Sequence, residues 1–166
     1  MGHPRFDSNP AGQDRHPLNI LRVRAGTPLR CISLAENYVG VWLHYLNGSK
    51  LVCRGLPDCK GCLANFKPQW EGFLPVQEEE PKRGVALLAL TPLCVRPLRA
   101  CMTDNGIYGC RLALRREGNR NNSPLSLLVY GRADPEIVFT DLRVRQIVAQ
   151  IHKVDLDDNG DMVFRA

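Results

Sequence analysis

Four residues between His44 and Cys62 (HYLNGSKLVCRGLPDCKGC) have the types and spacing to hold one metal ion: His44, Cys53, Cys59 and Cys62. Cys59-Lys60-Gly61-Cys62 is a C-x2-C knuckle, in which two thiolates reach the same ion while the small Gly61 lets the turn close. Three thiolates and one imidazole make a common tetrahedral set for structural zinc. Cys31 competes with His44 for the fourth position, since position along the chain does not decide between them. Buried apolar cysteines are the bland alternative, and the clustering argues against it. A closed set of four ligands leaves no position open for water, and neither H-x-E nor HExxH supplies a general base, so catalysis at the metal is not expected. A redox C-x2-C would need a βαβ setting that the sequence lacks. Cys94, Cys101 and Cys110 read as core or strand cysteines.

The ligands need two strands to bring them together. YVGVWLHYL is rich in β-branched and aromatic residues and stops at Asn47-Gly48, a strong signal for a tight hairpin turn; SKLVC returns as the second arm. His44 then sits on one arm and Cys53 at the end of the other. Gly55 and Pro57 let the loop double back. Further strands are expected at LNILRVRAG, TPLRCISL, ANFKPQWEGFLPV and the apolar run GVALLAL. QEEEPKRG is expected as an exposed loop, and residues 92–100, with two prolines, as an irregular or edge segment. GCRLALRR and SPLSLLVYG form a second hairpin around EGNRNN. Ile137, Val144, Ile147, Val148 and Ile151 share one face at helical spacing, which predicts a helix over about residues 135–153. The fold class expected is therefore mainly β: an OB-like barrel with an inserted zinc-binding loop at 44–62 and one C-terminal helix. Residues 1–17 are expected as a flexible arm, 18–154 as the β-rich domain, and 155–166 as an acidic C-terminal segment.

The 166 residues carry 22 Lys and Arg against 17 Asp and Glu, a formal charge of +5, and 17 of the 22 basic residues are arginine. Arginine suits phosphate and stacks on flat rings, so an anionic partner is favoured; GC-rich coding is the bland account. Pleat alternation puts Arg111 and Arg115 on one face of the second hairpin, with Arg116 and Arg120 at its turn. On the first hairpin, Tyr38, Trp42 and His44 share one face, while Val39, Val41, Leu43 and Tyr45 share the other, the better core face. Tyr38 and Trp42 are thus candidates for stacking on bases, together with the four arginines for phosphate. Packing beneath the metal loop is the alternative for Trp42, and Trp70 and Phe73 carry the same ambiguity.

A histidine, a cysteine and then C-x2-C within a basic, β-rich domain, with an acidic end (Asp155, Asp157, Asp158, Asp161), resembles the zinc-containing single-stranded DNA-binding proteins of tailed bacteriophages. That resemblance implies an OB-fold with a zinc subdomain, a part in DNA replication or recombination in a phage or mobile element, and protein partners docking on the acidic end. The expected function is non-enzymatic binding of single-stranded nucleic acid, DNA first, with zinc as cofactor. The alternative is a zinc-stabilised protein-interaction adaptor or inhibitor. DLDDNGD imitates the start of a calcium loop, but the chain stops at Ala166 where the bidentate glutamate belongs, so calcium is rejected. The acidic stretch with Met162, Val163 and Phe164 suits docking to a partner or covering the protein's own basic groove; a last strand after an ordinary turn is an equal reading. No run resembles a signal peptide, and VALLAL is too short to cross a bilayer, so an intracellular, cytoplasmic protein without membrane contact is expected.

Overall fold

The computed structural model of the chain describes residues 18–163. Their elements, in chain order, are β1 (Ile20–Leu21), β2 (Leu29–Ser33), β3 (Val39–Leu46), β4 (Ser49–Val52), α1 (Lys60–Leu63), β5 (Gln69–Glu78), β6 (Val85–Leu90), α2 (Pro92–Ala100), β7 (Cys110–Arg116), β8 (Leu125–Arg132), α3 (Asp141–His152), β9 (Asp155–Leu156) and β10 (Met162–Val163). The expected N-terminal arm and residues 164–166 lie outside the described residues.

Both expected hairpins form. Asn47 and Gly48 have φ of 49° and 77°, the left-handed pair that a two-residue hairpin turn requires, and they set the register His44 opposite Leu51. The second hairpin, β7–β8, closes with Glu117 N–H donating to Pro124 O at 2.9 Å.

Strand β5 organises the sheet. β6 lies antiparallel along one side of it, from Gly72 to Gln77. On its other side β3 pairs with Gln69 to Phe73, and β2 takes over at Val76 to Glu78. β2 continues to β7 and β7 to β8, while the short β1 runs parallel to β6, so the sheet is mixed. Glu71 to Val76 on β5 and Ala86 to Leu90 on β6 are buried on both faces, as the unbroken run VALLAL anticipates. Among the described residues no ladder joins β4 or β8 back to β1; the sheet is open, and the barrel closure expected from the strand count is not found.

Two helices depart from expectation. Residues 92–100 are helical, because Thr91 and Pro92 make a good helix start and Cys94 and Leu98, four apart, bury one face. Pro97 sits inside the helix; the carbonyl it leaves without a donor belongs to Leu93, on the exposed side. The C-terminal helix is shorter than expected. It begins after Thr140, whose hydroxyl accepts from Arg143 N–H at 3.2 Å, and stops at Lys153, left-handed at φ 54°. Ile137 still packs on the core from the extended segment before it, where Phe139 N–H donates to Leu34 O. α2 packs on β5, β6 and β8, and α3 on β3, β4 and β5. One continuous apolar cluster joins them, including Phe73, Leu74, Leu88, Leu98, Leu112 and Ile147. QEEEPKRG is partly strand, since β5 runs on through Glu78. No helix among the described residues is long and apolar enough to cross a membrane.

Candidate metal centre and aromatic groove

The hairpin and the short helix behind it bring His44, Cys53, Cys59 and Cys62 together, with all their ligand atoms within 4.8 Å of one another. His44 stands on β3. Cys53 follows β4 and prolongs its ladder, its N–H donating to Trp42 O at 2.8 Å. Gly55, at φ 76°, reverses the chain, and Cys59 N–H donates back to Gly55 O at 2.9 Å. Cys59 stands just before α1 and Cys62 lies within its single turn. Cys62 Sγ lies 3.6 Å from Cys53 Sγ and 3.4 Å from His44 Nε2. This arrangement can hold a metal ion.

Gly61 has a different purpose from the one expected. It is helical, so its turn does not require glycine; a Cβ there would overlap the His44 ring. His44 is fully buried although it shares a pleat face with the exposed Trp42, because α1 lies on it. Its Nδ1 is buried without a hydrogen-bond partner, and its Nε2 faces Cys62 Sγ. Burial raises the Cys59 thiol, but hydrogen bonds from the backbone at Cys62, Arg54 and Gly61 outweigh it and bring it down to about 6. The hydrogen bond to Cys53, then burial and Cys59, push Cys62 up to about 11. The Cys59 thiolate thus forms readily, and an ion must displace the proton of Cys62. Cys31 is no ligand: it is fully buried on β2 between Glu78 and Leu112, with its thiol raised by burial.

Next to this centre lies a groove of about 480 Å³ lined by Trp42, Tyr45, Trp70, Arg22 and Arg116, among others. Trp42 and Trp70 are direct partners across β3–β5. Gly40 and Gly72 form another direct pair, and the Trp70 indole lies across both; a Cβ at either would overlap it. Tyr38 stands edge-on to Trp70 at 5.8 Å, so it is half-buried and braces that ring instead of offering its own. Trp42 is 55% exposed. Tyr45, expected in the core, is exposed as well, with the Lys50 ammonium 5.3 Å above its ring. Beside it Glu71 is buried and paired with both Lys50 (2.9 Å) and Arg22. Burial raises its carboxyl, yet the two cations hold it below the usual range.

The arginines of the second hairpin divide between two faces. Following the pairs Trp42–Trp70, Val76–Ser33 and Cys31–Leu112, the pleat places Trp42 on the face of Leu112, Leu114 and Arg116. Arg111 and Arg115 therefore occupy the opposite face. There Arg111 pairs with Glu79 at 3.2 Å and Arg115 approaches Glu117 at 3.7 Å, while Arg30 stacks over Tyr130 at 5.5 Å. Arg116 lines the tryptophan groove but is anchored there, donating to Val23 O (3.0 Å) and Ser123 O (2.8 Å). Arg120 is exposed in the hairpin loop.

The acidic end is a small hairpin, β9–β10: Asp157 accepts from the backbone N–H of Asn159 and Asp161, and Asp161 pairs with Arg145 at 2.9 Å. Cys94 is buried in α2, and Cys101 and Cys110 lie 3.8 Å apart, a proximity nothing in their spacing announces. The pairing of Arg22 with Glu71 has no signal in the sequence either, since it joins residues far apart in the chain. Comparison with models of protein families, with curated proteins and with solved structures finds no match.

Proposed function

We propose that this protein binds single-stranded nucleic acid, with a structural zinc bracing the hairpin that presents Trp42. The observation that carries the reading is Trp42 itself: a large ring, 55% exposed, beside Trp70 and two arginines in one groove. Exposed aromatic rings beside cations suit a strand, because every base has a face to stack and every link a phosphate. Zinc fits the donor set. For zinc–sulfur bonds of about 2.3 Å, the edge of a tetrahedron is about 3.8 Å, close to the 3.6 Å between Cys53 and Cys62. With all four positions taken by protein, the ion is a brace and no reaction is assigned to it. The ligand order supports the resemblance to phage zinc-containing single-stranded DNA-binding proteins. An OB-like architecture has narrower support, in the change of partner from β3 to β2 along β5.

The test is a titration of a labelled oligonucleotide at low and high salt, following tryptophan fluorescence. Binding should weaken steeply as salt rises, and Trp42→Ala should lower affinity by about 1–3 kcal/mol, the worth of one stacked base. Absence of binding at low salt overturns the reading. The protein-interaction alternative is favoured by one observation, the exposed Leu56 (70%), Leu63 and Phe66 on the metal loop. A partner complex that survives high salt would be its mark.

A further inference from the structure

A second cleft, of about 440 Å³, lies between the metal loop and the C-terminal end of α3. Its walls carry Lys50, Arg54, Lys60 and Lys153 against one carboxylate, Asp58. These cations come from four separate places: β4, the loop after it, α1 and the residue capping α3. The charge is therefore assembled by tertiary structure and is not a run along one solvated face. Among the described residues Lys60 and Lys153 make no ion pair. A cation at the end of α3 complements the helix dipole, which accounts for Lys153 locally; no such account covers Lys60. Lys153 also holds a left-handed φ of 54°, where glycine or asparagine is the easier residue. His152 contributes an imidazole whose Nε2 is buried without a partner.

The two clefts share a boundary. Lys50 lines this one, Glu71 and Tyr45 line the tryptophan groove, and Lys50 touches both of those residues. We infer that the cleft takes backbone phosphates of the strand whose bases occupy the tryptophan groove, an inference that rests on the nucleic-acid reading above. Lysine suits this place: a mobile point charge follows a phosphate chain without the fixed geometry of an arginine fork. The metal loop supplies one wall, so filling the metal site also shapes the phosphate path.

The test compares zinc-loaded parent, Lys60→Gln/Lys153→Gln and Trp42→Ala in binding a fluorescein-labelled oligothymidylate over a series of salt concentrations. Both lysines are exposed, and unchanged metal content and circular dichroism would confirm that the double variant folds. The expected result is a slope of log affinity against log salt shallower by about 1.4 in the double variant, about 0.7 for each phosphate that a lysine no longer neutralises. Trp42→Ala should instead weaken binding at every salt concentration with the parent slope. An unchanged slope in the double variant, with Trp42→Ala still weakened, overturns this inference alone. A parent protein that does not bind the oligonucleotide at low salt overturns both readings.

Discussion

Gly61 shows how much can rest on one absent side chain. It reads in sequence as a residue that lets a C-x2-C turn close, yet its backbone is helical and what it provides is room for the His44 ring. Gly61→Ala should therefore act as a ligand variant: the ring is displaced, zinc content falls well below one per chain, and Tm drops by roughly 10 °C, as expected when a structural metal worth about 3 kcal/mol is lost. Cys59→Ser should do the same, whereas Cys31→Ser should leave zinc content at the parent value. Metal analysis beside thermal unfolding checks all three. Zinc loss on Cys31→Ser, with full retention on Cys59→Ser, would show that the ligand set is wrong.

Among the elements, Glu71 couples strands that the chain keeps far apart. From β5 it reaches Lys50 on β4 and Arg22 just after β1. Burial alone would raise its carboxyl; the two cations lower it by more. A carboxyl lowered in the folded state contributes stability that is complete above the unfolded value and is lost as pH falls through the folded one. The parent should thus lose stability on acidification from about pH 5 to pH 3 more steeply than Glu71→Gln. At neutral pH the variant should be less stable by about 1–2 kcal/mol, because Arg22 is half exposed and water already screens part of the pair. Denaturant unfolding at several pH values measures both effects, and parallel pH curves would contradict the assignment. Local pattern revealed the β3–β4 and β7–β8 hairpins and the heart of α3. It failed at residues 92–100, where two prolines counted against a helix although Thr91-Pro92 is a helix start and Pro97 leaves only an exposed residue's carbonyl unpaired.

At the scale of the whole molecule, the metal centre stands apart from the main apolar cluster, which holds Leu43 of the hairpin but none of the three ligand cysteines. Removing zinc with a chelator should consequently loosen residues 44–66 while the β5–β6–β2–β7 sheet persists. Hydrogen exchange should rise in that segment and stay low in β6, with only a small change in circular dichroism. Global unfolding on chelation would mean that the loop is integral to the core. On the proposed nucleic-acid reading, the same treatment should weaken strand binding, since the hairpin that presents Trp42 is tied to the metal loop through Cys53 N–H and Trp42 O.

Local chemistry in the sequence determined the three cysteine ligands, the Asn47-Gly48 turn that folds His44 back toward Cys53, and the buried VALLAL strand. These depend on neighbours within a few residues, where side-chain type and period suffice. The tertiary structure alone decided that His44 and not Cys31 joins the cysteines, and that Trp42 and Arg116 share a groove while Arg111 and Arg115 look the other way. It also gathered four cations from four places into one cleft. Faces propagate through the register of successive ladders, β3 to β5 to β2 to β7, and that register is set by packing between residues tens of positions apart.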